Sequence, residues 1–159
     1  MTETDEMSES EYAKSISYAE LRHVVLLKSN FFVNPEFFSE DSDRELSRGE
    51  EITSFSVTED RLTAAAEIEY FAKAKCGEGE AFCASCTYLV AFDFEKETTE
   101  EIAERVIQRV GRFAAYPFFR QHVAQLSWES GIDIPILPII KQRHQASRSK
   151  RLDDVKDKP

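Results

Sequence analysis

Apolar residues recur along this chain first with a period of two and later with the period of a helix. From Leu21 to Val33 the run LRHVVLLKSNFFV places Leu21, Val25, Leu27, Phe31 and Val33 on one face and Val24, Leu26 and Phe32 on the other. That pattern predicts a strand buried on much of both sides. The next stretch, Asn34 to Glu51, is charged and begins with Asn-Pro, so it reads as a long connection. Phe37 and Phe38 fall inside it, where two adjacent rings must either tuck under the loop or form a binding surface. Ile52 to Val57 predicts a short strand. Leu62 to Cys76 predicts a longer one, with Leu62, Ala64, Ala66, Ile68, Tyr70, Ala72, Ala74 and Cys76 on one face and Arg61, Thr63, Glu67, Glu69, Lys73 and Lys75 on the other. Strict alternation of this kind belongs to a sheet packed on one side and wet on the other. CGEGEAF supplies a hairpin connection in which Gly77 and Gly79 are free to take positive φ. The return strand, Glu80 to about Glu95, turns Phe82, Ala84, Cys86, Tyr88, Val90, Phe92 and Phe94 inward.

The period then changes. Thr98-Thr99-Glu100-Glu101 is a capping-box pattern, in which a threonine oxygen accepts an orphan amide and a glutamate reaches back. Ile102, Val106, Val110 and Phe113 follow at helical spacing, widened by Ala103, Ile107 and Ala114. Tyr116-Pro117 predicts a break, because proline cannot extend a helix yet suits the first turn of a new one. The second helix, Phe118 to about Ser130, carries Phe119, Val123 and Leu126 on one side and ends at Gly131, a left-handed cap. Ile132 to Ile140, IDIPILPII, holds prolines at 135 and 138 that forbid a central strand and predict an extended strap. Residues 1–17 and 141–159 are charged, poor in large apolar groups, and expected to be disordered tails around one domain, 18–140.

Composition narrows the function. A chain of 159 residues is one domain in size. Its formal net charge of −10 argues against a nucleic-acid surface, which needs clustered Lys and Arg. No apolar run is long enough for a membrane span, and the N-terminus, MTETDEMSESEYAKS, is acidic where a secretory signal is basic and then apolar, so a cytoplasmic location is expected. Cys76, Cys83 and Cys86 are an odd number without an export signal and read as free thiols. On a strand, Cys83 and Cys86 point to opposite faces, which disfavours metal chelation and dithiol chemistry. His23, His122 and His144 are scattered, with no nucleophile and carboxylate arranged beside them, and there is no glycine-rich phosphate loop. No enzyme, metal or cofactor is expected. What stands out is apolar excess: Phe37-Phe38, the rings around Tyr116-Pro117-Phe118-Phe119, Trp128, and the strap. Such surface on a small chain marks an oligomer interface or a binding groove.

The stretch GRFAAYPFFRQHVAQLSWESGIDIPILPII, with its aromatic-Pro-aromatic junction, Arg120 three residues after the proline and a proline-rich strap, resembles the SecB family of molecular chaperones; KSNFFVNP is a weaker match. The resemblance covers about Leu21 to Ile140. It implies an α+β fold, a four-stranded antiparallel sheet with two C-terminal helices on one face, assembled as a dimer of dimers. The implied activity is ATP-independent holding of unfolded clients, with a groove lined by Phe37, Phe38, Tyr116, Phe118, Phe119, Trp128, Ile134, Ile136 and Leu137. In exporting members acidic residues on the exposed sheet face dock the SecA motor. The aligned positions here hold Ser29, Val33, Cys83 and Ser85, none acidic. That favours the role of SecB-like chaperones that protect an antitoxin in a toxin-antitoxin system, with delivery of preproteins to SecA as the alternative. A structural oligomerisation module, with all its apolar surface consumed by subunit contacts, is the alternative of another class.

Overall fold

The computed structural model describes residues 13, 14, 16–38, 44–76 and 78–132. Its strands are β1 (Ala19–Val33), β2 (Arg44–Val57), β3 (Thr63–Cys76) and β4 (Gly79–Phe94), joined in one antiparallel sheet of order β1-β4-β3-β2. The alternation read in the sequence places β3 and β4 in the middle. All seven inward residues of β3 from Ala64 to Cys76 are buried, as are Phe82, Ala84, Cys86, Tyr88, Val90, Phe92 and Phe94 of β4. Gly79 lies within β4 and does not use positive φ, which the described glycines show only at Gly131; Gly77 lies outside the described residues.

The edge strands depart from the sequence pattern. Register shifts after Leu21 and after Leu26 break the parity of β1. Leu21, Val24, Leu26, Ser29, Phe31 and Val33 therefore lie opposite inward residues of β4, whereas His23, Val25, Lys28, Asn30 and Phe32 lie opposite outward ones. The strand is not buried on both sides: Leu21, Val25, Leu26, Leu27 and Phe32 are exposed. The expected long connection is also shorter. A 3-10 turn, Pro35–Phe38, follows β1, and β2 starts at Arg44, so 44–51 is strand. This half of β2 escapes period analysis because it is an edge whose side chains from Glu45 to Arg48 are exposed on both faces, leaving no alternation to read.

One face of the sheet carries the helices α1 (Glu100–Val106) and α2 (Arg112–Ser130), linked by a π turn, Ile107–Gly111. Thr99 caps α1, its hydroxyl accepting from the Ile102 amide at 3.3 Å. The glutamate does not reach back: with Thr99 as cap, Glu101 pairs with Arg105 at 2.8 Å. The expected break at Tyr116-Pro117 is absent, and α2 runs through Pro117. Pro117 is exposed, so water can serve the Phe113 carbonyl that the ring leaves without an amide. The irregularity falls earlier, at the π turn, where the Arg112 amide bonds to the Ile107 carbonyl. The extra residue shifts the buried stripe to Ile107, Gly111, Ala115, Phe119, Val123 and Ser127, leaving Val110, Phe113 and Ala114 half-buried. Gly131, φ 66°, closes α2 as a left-handed cap. Ile132 then folds back into the core, its carbonyl accepting from the Ser127 hydroxyl at 2.6 Å.

Candidate functional site

The junction of β3 and α2 is organised by Tyr70. Its ring stacks on Phe119 at 5.5 Å, tilts against Tyr116 at 5.9 Å and meets Tyr88 edge-on at 6.1 Å. Its hydroxyl donates to the Arg112 carbonyl at 2.7 Å, in the first turn of α2. Burial pushes the Tyr70 and Tyr88 phenols well above their ordinary range, so both are neutral across physiological pH.

The direction of each helical residue decides which aromatic groups are accessible. At 100° per residue, the four positions 116 to 119 spread around most of the helix. Tyr116, at 8% exposure, and Phe119, at 1%, turn to the sheet, whereas Phe118, at 52%, and Trp128, at 88%, turn away from it. The nine residues expected to share one groove are therefore divided. Tyr116 and Phe119 belong to the core, Phe118 and Trp128 to the back of α2, and Phe38, 55% exposed, to the crossover at one end of the sheet. Phe37 shares the crossover turn, but its side chain lies outside the described residues, as do Ile134, Ile136 and Leu137.

Sequence reasoning missed the residues between β2 and α2. Leu46, Arg48 and Glu50 lie opposite Ala74, Ala72 and Tyr70, on the face that carries the helices. Leu46 is exposed at the same end of the sheet as Phe38. Glu50 accepts from Arg112 at 2.7 Å, fastening β2 to the start of α2, while the second Glu50 oxygen and the Arg112 Nε are buried without partners. Arg120 follows Tyr116 by one turn on the same side. Burial raises the Tyr116 phenol, the charges of Arg48 and Arg120 oppose that rise, and that of Glu50 adds to it. A sequence signal for this shelf existed only in the adjacency of Arg48 and Glu50 to an apolar strand.

The opposite face of the sheet carries no helix among the described residues and holds a shallow hollow of about 410 Å³ lined by Lys28, Asn30, Phe32, Glu51, Glu69, Phe71, Lys73, Glu80, Cys83 and Ser85. The four positions aligned to the motor-docking site do not share this face. Cys83 and Ser85 line the hollow, but Ser29 and Val33 lie opposite Cys86 and Phe82, on the helix side. The two β1 shifts offset each other, so Ser29 and Val33 keep the parity of Leu21 on the helix side, and the residues late in β1 that reach the opposite face are Lys28, Asn30 and Phe32. Acidic groups come instead from Glu51, Glu69 and Glu80.

Cys83 and Cys86 face opposite sides, as their odd separation requires. Cys86 packs inward and donates weakly to the Ser29 hydroxyl at 3.7 Å, and Ser29 in turn bonds the His122 ring at 2.9 Å. Burial raises both thiols, so neither is a ready nucleophile. His23 stands on the bare face opposite Ala91, far from this pair; His144 lies outside the described residues. Among the described residues, no cluster of His, Cys, Asp and Glu could hold a metal ion, and no helix is long and apolar enough to cross a membrane.

No protein-family model matches the chain, and no curated protein matches it. Among solved structures, the chain is similar to the SecB-like chaperone Rv1957 of Mycobacterium tuberculosis, in complex with a ChAD peptide from the Rv1956 HigA1 antitoxin. The TM-score is 0.68 at 19% identity, over 83% of this chain and 98% of the other. The fold of this chain is therefore SecB-like α+β.

Proposed function

We propose that this chain is an ATP-independent holdase that binds an unfolded or aggregation-prone client, specifically the antitoxin of a toxin-antitoxin system. The observation that carries this reading is the set of large apolar side chains left exposed, on three separate surfaces, in a fold shared with a chaperone solved holding an antitoxin peptide. The surfaces divide by geometry. β1 is an edge strand with Leu21, Val25 and Leu27 exposed, and a long apolar edge invites pairing with a second copy. The back of α2, with Phe118 and Trp128, suits a second contact between copies, giving a dimer of dimers. The end formed by Phe38 and Leu46 is left to the client, and Ile134, Ile136 and Leu137, outside the described residues, are assigned to the client with it.

Each anchor of this size contributes ~1.5–3 kcal/mol on burial, against a similar cost of association and ordering. One groove holds weakly, and several on one oligomer hold through effective concentration. Nothing in this binding calls for catalysis, metal or cofactor. Dilution of a chemically denatured protein into buffer, followed by light scattering, tests the reading; aggregation unchanged at severalfold excess of the oligomer would sink it. Binding of an apolar dye to the native oligomer separates it from a purely structural module, in which the apolar surfaces are filled. Identification of a toxin and an antitoxin beside the gene, with the antitoxin co-purifying, supports the client assignment. Glu51, Glu69 and Glu80 on the bare face favour the second reading, export, and capture of SecA by the oligomer would select it.

A further inference from the structure

β2 is an edge strand: among the described residues its sheet partner is β3 alone, so its outer row of main-chain amides and carbonyls is open. The side chains along this edge are sorted by face. Leu46 and Arg48, opposite Ala74 and Ala72, are exposed on the side that carries the helices. Gly49 and Glu51, opposite Phe71 and Glu69, belong to the bare face. A Cβ on Gly49 would overlap the Phe71 ring, so that ring reaches across from β3, lies over the edge strand and offers apolar surface there. Beside it, Glu51 and Glu69 stand directly opposite each other, a like-charged pair that weakens the sheet until a cation joins it. Among the described residues no Lys or Arg lies within ion-pair distance of either.

We propose that an extended client segment pairs antiparallel with the free edge of β2, in a register set by an aromatic side chain opposite Gly49. This rests on the holdase reading and adds to it a mode of capture and a rule of charge order. Successive residues of a paired segment alternate between the two faces while its main chain takes the open hydrogen bonds of the edge. With an aromatic residue opposite Gly49 and against Phe71, the residue two before it comes opposite Glu51, the residue after it opposite Arg48, and the third after it opposite Leu46. The matching order is therefore Lys-x-Phe-Glu-x-Leu, with the base on the bare face and the acid on the helix side. The chain's own strap, outside the described residues, is a poor occupant by its sequence. Pro135 and Pro138 are of opposite parity, so in any paired register one of them turns a missing amide toward β2.

Two fluorescent peptides of one composition test the proposal: Thr-Lys-Thr-Phe-Glu-Thr-Leu-Thr and the same peptide with Lys and Glu exchanged. By anisotropy at low salt the full-length protein should bind the first about fivefold more tightly, and added salt should shrink that ratio. Arg48→Glu combined with Glu51→Lys, both at exposed positions, should invert the preference. N-methylation of alternate amides of the first peptide should abolish binding for the set that faces β2 and spare it for the other set. Equal binding of the two peptides, tighter binding of the second, an unchanged preference in the double variant, or an equal response to both methylated sets overturns the proposal and leaves the holdase reading standing. Binding of neither peptide overturns it too, and the aggregation assay then judges the holdase reading separately.

Discussion

β3 and β4 fill the middle of the sheet and β1 and β2 its edges, and the two pairs obey different rules. The central strands hold every inward side chain from Ala64 to Cys76 and from Phe82 to Phe94 at low exposure, under two helices. The edge strands are bulged, leave Leu21, Leu26, Leu27 and Leu46 in solvent, and are tied to α2 by polar links, Ser29 to His122 in β1 and Glu50 to Arg112 in β2. The centre is a packing device. The edges and the outer side of α2 are where other chains can be met, so substitutions in the two regions should move different observables.

The largest expected effect is at the centre. Phe119→Ala removes a ring stacked on Tyr70 and should cost ~3–5 kcal/mol in urea unfolding. A cost near zero would mean that the Tyr70 stack is not part of the core. Next comes Tyr70→Phe, which removes the donor to the Arg112 carbonyl and should cost ~1–3 kcal/mol.

The same phenol gives the centre an alkaline limit. In the folded chain, burial first of all keeps Tyr70 and Tyr88 protonated above the ordinary value of 10.0. The stability contributed by these neutral phenols is fully present below pH 10 and is lost as pH rises beyond it, because the unfolded chain ionises first. The urea midpoint should hold between pH 7 and pH 9 and fall above pH 10, and Tyr70→Phe should flatten that fall. A midpoint independent of pH up to pH 11 would contradict the burial of both phenols.

At the edge the effects shrink. Arg112→Met leaves Glu50 without its partner, but both side chains touch solvent, so the cost should be about 1 kcal/mol. Hydrogen exchange should show that opening confined to β2 and the first turn of α2. Exchange rising equally in β3 and β4 would show that the ion pair supports the whole sheet.

The same division explains what could be read in the sequence. From Ala64 and from Phe82 onward, β3 and β4 were legible residue by residue because one face is covered by helices and a period of two records it, whereas Leu62, expected on that face, precedes β3 and is exposed. Thr99 and Gly131 were legible because caps are chemical necessities of helix ends. The first half of β2 carried no alternation, and in β1 the bulges after Leu21 and Leu26 turn His23 and Val25 away from the face of Leu21 and then restore the parity, so Ser29 and Val33 lie with Leu21 on the helix side. Around α2, the apolar run was visible but its partition was not. Pro117 pointed to a break, and only the unbroken helix beyond the π turn sends Phe119 inward and Phe118 outward. The shelf of Arg48, Glu50, Arg112 and Arg120 was invisible because its members are 60 or more positions apart across the two elements and meet only through the register of β2.

The sharpest contrast lies between neighbours on α2. Phe118→Ser and Trp128→Ser remove apolar surface that the chain itself does not bury, so each should change unfolding stability by no more than ~0.5 kcal/mol, a tenth of the largest effect expected for Phe119. Their effect should appear in association. If the back of α2 joins copies, the double variant should show a smaller mass by light scattering, while the client end of Phe38 and Leu46 still binds the apolar dye. If instead the mass is unchanged and client capture is lost, then the back of α2 is the client surface, Leu46 and Phe38 mark a subunit contact, and the assignment of the two surfaces is reversed.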